Sequence, residues 1–229
     1  MRFWLSTTSA LTSLLALLTA AFVLLPFFLE NEVVGTFVRI AIELMLIGLV
    51  LRMNVGRTVV AFVIGIAVLD AIADWTASFH SVPALTLLRL VLALGFFGTV
   101  AVLIGSTVWR QRDVGAESIL AIVAVYLLLG LCWALAFSIV EYLQPGSFHN
   151  ICEARLGEIG CRAEIADFPR AYYFSFVTLT TLGYGDVVPL SRAAEGVAAM
   201  ASVSGQLFIA ILIARIVGMY IAQQTVNRS

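Results

Sequence analysis

Residues 178–189 read Thr, Leu, Thr, Thr, Leu, Gly, Tyr, Gly, Asp, Val, Val, Pro, and these types suit one kind of chemistry, the replacement of water around a cation by main-chain oxygen. A cation sheds its hydration shell only where other oxygens stand in for it, and rings of backbone carbonyls can do so. Successive carbonyls face one axis only if the chain adopts conformations that Gly183 and Gly185 reach without steric cost. The Leu182 side chain matters little to this, while the Thr181 hydroxyl offers a further oxygen. Two plainer readings compete. A dinucleotide loop needs a third glycine where Val188 stands and a strand before the motif. An ordinary turn accounts for two glycines, but not for the threonine-rich approach or for the position between two long apolar segments.

Thr181, Leu182, Gly183, Tyr184, Gly185 and Asp186 resemble the filter of the tetrameric potassium channels, which reads Thr-Val-Gly-Tyr-Gly followed by Asp, with Leu182 in place of the Val. The resemblance implies potassium sites at Thr181, Leu182, Gly183 and Tyr184, with Gly185 completing the filter. Counting back, Tyr173 and Phe174 stand where the family usually has a Trp pair, which assigns to Tyr173 a hydrogen bond to Asp186 that braces the filter from behind. Val177 occupies a place where some relatives carry a carboxylate, so no acid is expected there. Asp167, Phe168 and Pro169 read as a helix start, with an N-cap carboxylate and a proline tolerated in the first turn. Residues 168–180 are then a short pore helix whose C-terminal end, partially negative, favours a cation in front of it.

The elements that must position this stretch are apolar. The chain has 229 residues, of which 62% are hydrophobic and 12% charged, with mean hydropathy +1.05, far outside the range of a soluble domain of that length. A net charge of −1, with every basic residue an isolated Arg, gives no case for nucleic acid. The run 9–29 follows Arg2 but is too long for a signal core and lacks an Ala-x-Ala site, so it reads as a retained membrane helix. Five further apolar segments follow, at 33–51, 59–79, 84–109, 118–143 and 193–221. The expected fold is therefore an all-α membrane protein: six transmembrane helices with a re-entrant pore helix and filter loop between the fifth and sixth. This is the six-helix, voltage-gated-like plan, of prokaryotic type, and its expected division is a sensor-like bundle over 1–112 and a pore domain over 113–229. Before about Ser118 the resemblance rests on helix count alone.

Arginine placement sets the orientation, because short cytoplasmic loops collect Arg. Arg52 and Arg57 flank the second loop and Arg110 and Arg112 the fourth, whereas the first and third loops contain none. Both termini are then cytoplasmic, and the filter enters from outside. The expected location is the plasma membrane, or the inner membrane of a bacterial cell.

A voltage sensor carries Arg at every third position of its fourth helix, each charge worth ~2.3 kcal/mol per 100 mV. Here Arg89 stands alone and Leu92, Gly95 and Gly98 follow at the sensor spacing, so the bundle reads as a degenerate sensor with weak or no voltage dependence. Arg39, Glu43, Asp70, Asp74 and Arg89 form an intramembrane charge cluster, read either as glue between helices or as a proton- or ligand-linked gating site. The connector from Arg110 to Glu117 is short, which suggests that each bundle packs on its own subunit's pore.

The fifth helix ends near Glu141. In the family an acid near this position hydrogen-bonds the outer pore; a solvated helix-end charge is the plainer alternative. A polar turret over 144–166 holds Cys152 and Cys161, whose spacing on an oxidising face suggests a disulfide inside one subunit, against free thiols or a bond between subunits. His149 close by makes a poor metal site for want of further ligands. Cys132 reads as a small apolar residue. Between Glu141 and Glu195 seven acids stand against four arginines, and three net negative charges per chain around a fourfold mouth concentrate cations. Ser191 is a candidate N-cap with Glu195 in the first turn. Gly205 is by resemblance a gating hinge and by packing a site of close helix approach. Arg215 can snorkel to the inner headgroups.

One chain supplies one filter segment where a closed ring needs four, so the expected partners are three further copies of itself, membrane lipid and potassium ions. The expected function is passive potassium conduction, with no enzyme activity and no cofactor beyond the permeant ion. The rivals are a subunit of a potassium transporter, which needs several non-identical filter-like repeats, and a non-conducting membrane scaffold or receptor, which leaves the filter unexplained.

Overall fold

A computed structural model describes residues 15, 16, 19, 32–53, 55–79, 83–110, 116–149, 151 and 168–226. Of the first apolar run, Leu15, Ala16 and Thr19 are described and helical. The helices with described bounds are α1 (Glu32–Arg52), α2 (Arg57–Phe79), α3 (Pro83–Arg110), α4 (Ala116–Leu143), α5 (Phe168–Leu179) and α6 (Arg192–Val226). Several boundaries have a local cause. The Gly56 carbonyl accepts the Val59 and Val60 amides to open α2, and Pro83 opens α3, where its missing amide hydrogen costs nothing. α4 stops before Pro145 and Gly146, the latter at φ 83°. At the start of α6 the Ser191 hydroxyl accepts the Ala194 amide at 3.2 Å, an N-cap.

Among the described residues three helices are long and apolar enough to cross a membrane, over Ala84–Trp109, Ser118–Leu143 and Arg192–Arg215. α5, with 12 residues, is about 18 Å long and falls well short of the ~30 Å hydrocarbon core. It ends at Leu179, one residue before the expected end.

The all-α expectation needs one correction. Phe148–His149 (β1) and Val188–Pro189 (β2) form a two-stranded antiparallel ribbon, pairing Phe148 with Pro189 and His149 with Val188. It forms because the segment after the filter must return to the start of α6, and the turn after α4 offers its free backbone at that point.

α3 packs against α2 on one side and α4 on the other. Its inward face, Leu90, Ala93, Phe97, Val100, Ile104 and Val108, recurs at steps of three and four, as one face of a helix must. α4 in turn packs on α5 and α6. The buried residues divide into two clusters, and α5 contributes to both: Tyr172 and Phe176 to the one that runs through α1–α4, Ala171 and Phe174 to the one between the C-terminal end of α4 and the N-terminal end of α6. Steps of three and four thus give α5 two apolar faces, so it is wedged rather than laid on a surface.

Within the bundle Asp70 is 1% and Glu43 6% exposed, Arg89 is half-buried, and all three are engaged with neighbours. The side chains of Arg39 and Asp74 lie outside the described residues, as do Cys152, Cys161 and Asp167. Arg215 differs from the snorkelling expectation. Its Nη2 donates to the Val108 and Trp109 carbonyls of α3, at 2.8 and 2.9 Å. The last carbonyls of a helix have no partner of their own and carry its negative pole, so a guanidinium within reach is drawn to them.

Candidate functional site

The chain leaves α5 through a tight reversal. The Thr180 amide donates to Phe176, the Thr181 amide to Thr178, and the Leu182 and Gly183 amides both to the Val177 carbonyl, at 2.9 and 3.3 Å. Thr181, Gly183 and Gly185 have φ of 59°, 57° and 78°, while Leu182 and Tyr184 between them do not take positive φ. Residues with positive φ thus alternate with residues without it, two of the segment's amides are spent on α5, and among the described residues no backbone hydrogen bond ends on a carbonyl of residues 181–185. The whole segment is exposed in the single chain, Leu182 at 55% and Tyr184 at 67%. Gly183 and Gly185 take positive φ freely. Thr181 is β-branched, and left-handed backbone there costs roughly 1–3 kcal/mol.

The Thr181 hydroxyl donates to the Thr180 carbonyl at 2.7 Å and accepts from the Gln206 amide nitrogen of α6 at 3.4 Å. At the other end of the segment the Tyr173 phenol hydrogen-bonds Asp186. Loss of hydration first, then that hydrogen bond and the charges of Asp186 and Tyr184, push the phenol up to about 12, so it stays a donor at neutral pH.

Behind this end stands Glu141, 3% exposed. Its two oxygens accept the amides of Gly146 and Phe148 at 2.7 and 3.0 Å; a solvated helix-end charge does not describe it. The turn it holds is tied to the chain beyond residues 181–185. The Ser147 carbonyl accepts the Leu190 amide at 2.7 Å, the Ser191 hydroxyl donates to the Ser147 hydroxyl at 3.0 Å, and β1 pairs with β2. Phe137, Phe148 and Phe174 fill the space beneath, with centroids 4.9 to 5.5 Å apart.

Gly205 lies within the continuous helix α6, against the end of α5. A Cβ there would run into the Leu179 carbonyl oxygen and stand 3.0 Å from the Leu179 carbonyl carbon. Its structural part is close approach. Residues that sequence reasoning passed over complete the same seam. A Cβ on Gly130 of α4 would collide with the Phe176 ring, and the Trp133 indole donates to the Ser204 hydroxyl at 2.9 Å. Gln206 carried one legible signal, an uncharged amide between Gly205 and Arg215 in an otherwise apolar run.

Residues 125–222 match the family described as ion channel. Over 85 residues the chain is 36% identical to the voltage-gated potassium channel regulatory subunit KCNG2 of Gallus gallus, a stretch that is 37% of this chain and 14% of that protein. The corresponding human protein is 33% identical over 84 residues, 37% of this chain and 16% of the relative. The potassium voltage-gated channel protein Shal of Drosophila melanogaster is 49% identical over 43 residues, 19% of this chain and 8% of the relative. The chain thus aligns with less than a fifth of the length of these relatives. No solved structure matches it significantly. Residues 125–222 thus carry a match to the ion channel family, and stretches of 43 to 85 residues are similar to voltage-gated potassium channel subunits.

Proposed function

We propose that the chain is one subunit of a homotetrameric potassium-selective channel, in which four copies of residues 181–185 line the ion path. The alternation of positive φ at Thr181, Gly183 and Gly185 carries this reading. On this reading it turns carbonyls to one side, and among the described residues no backbone hydrogen bond uses them; four chains around an axis give each ion a cage of oxygens in place of water. In this reading α5 is a re-entrant pore helix, residues 113–229 are the pore domain, and residues 1–112 form a sensor-like bundle that contributes little voltage dependence. Six helices cross the plasma membrane, and both termini are cytoplasmic. Tyr173, Asp186 and Glu141 hold the filter's outer end. Cys152 and Cys161 form a disulfide in the turret.

The test is reconstitution of the purified chain in liposomes with a potassium gradient. Potassium-driven flux that barium blocks supports the reading, and equal sodium and potassium flux overturns it. A second reading is favoured by one observation, that KCNG2 is named a regulatory subunit. On that reading the chain serves in a mixed channel, and the pure protein conducts nothing by itself while a potassium current of a co-expressed channel subunit changes in its presence.

A further inference from the structure

We infer that Gln206 builds a cation site at the inner end of the filter, by orienting the Thr181 hydroxyl and adding its own amide oxygen beside it. The inference rests on the channel reading above and goes beyond it to a residue outside the filter segment. A hydroxyl has one hydrogen and two lone pairs. The Thr181 hydrogen goes to the Thr180 carbonyl at 2.7 Å, and one lone pair is taken by the Gln206 Nε2 at 3.4 Å. The hydroxyl can no longer turn, and one lone pair stays open. Among the described residues no hydrogen bond ends on Gln206 Oε1, and the side chain is exposed in the single subunit. Thr181 Oγ1 and Gln206 Oε1, which shares its amide carbon with that Nε2, then both keep capacity to spare.

The register that brings them together is set independently of that hydrogen bond. Gly205 is pressed against the Leu179 carbonyl, and the Trp133 indole holds Ser204 at 2.9 Å, so residue 206 cannot slide along the end of α5. The ligand is a partly hydrated monovalent cation. An amide suits it better than a carboxylate would, because conduction needs a site that admits an ion without keeping it.

The experiment compares wild type, Gln206→Leu and Gln206→Glu in planar bilayers, with barium, a divalent ion close to potassium in size, applied from the cytoplasmic side. The loss of one oriented oxygen contact in Gln206→Leu weakens barium block about tenfold and lowers potassium preference over sodium, while Gln206→Glu strengthens the block. Conducting variants with wild-type barium affinity overturn the inference. Should Gln206→Leu fail to assemble, Gln206→Asn, too short to reach Thr181, takes its place: weaker block supports the site and unchanged block rejects it. A wild-type protein that passes no potassium rejects the channel reading instead.

Discussion

Arg215 lies over the indole of Trp109, 4.8 Å from the ring centroid, while its Nη2 donates to the Trp109 carbonyl at 2.9 Å. One side chain of α6 therefore holds both the ring and the terminal carbonyls of α3, and joins the front half of the chain to the helix that follows residues 181–185. Lysine keeps the charge but neither the planar fork nor the stacking face. Arg215→Lys should lower the unfolding free energy of the detergent-solubilised protein by about 1–2 kcal/mol, and Arg215→Ala by somewhat more. Equal stability of Arg215→Ala and wild type would contradict the contact.

Gly205→Ala and Gly130→Ala should both destabilise, by about 1–3 kcal/mol for a methyl group forced into packed space, but they should differ in rescue. The obstacle at Gly130 is the Phe176 ring, a side chain, whereas at Gly205 it is a backbone carbonyl. Phe176→Leu should therefore recover part of the loss in Gly130→Ala and none of it in Gly205→Ala. Thermal unfolding of the two double variants decides this, and recovery in both would show that Gly205 does not sit against Leu179 as described.

Glu141→Ala leaves the buried Phe148 amide and the part-buried Gly146 amide without their acceptors, at a cost of about 1–3 kcal/mol. Glu141→Gln keeps one acceptor oxygen and should fall between alanine and wild type. If alanine is no worse than glutamine, the carboxylate is not what holds the turn.

The Tyr173 phenol is pushed up to about 12, which gives a pH dependence of definite sign. A phenol whose folded pKa is raised binds its proton more tightly when folded, so its contribution is complete below its unfolded value of about 10 and is lost as pH rises through the folded one. Stability and conduction should be flat in this respect from about pH 6 to 9. Above that the wild type should lose stability faster than Tyr173→Phe, which has no phenol to ionise. Parallel alkaline profiles for the two proteins would remove Tyr173 from the account.

Much of this fold could be read in the chain because membrane helices are written as uninterrupted apolar runs: α3 and α4 each run within two residues of the expected bounds at both ends. What was harder to read depends on contacts between distant positions. Whether Gly205 is a hinge or a seat turns on Leu179, 26 positions earlier, and no local pattern around Gly205 separates the two. Arg215 looked like a headgroup anchor because snorkelling needs only the helix it stands on, while its actual partners lie 106 and 107 positions away. The β1–β2 ribbon is two residues per strand, too short to carry an alternating pattern. Gly183 and Gly185 were legible because positive φ selects glycine; Thr181 at 59° was not, since nothing about a threonine announces a left-handed backbone.

That last angle sets sturdiness against selectivity within a single residue. Glycine at position 181 would relax the backbone and delete the hydroxyl in the same stroke, so on the proposed channel reading the substitution that yields the tougher subunit also yields the leakier pore. Any screen of this chain for heat resistance alone should drift toward that trade.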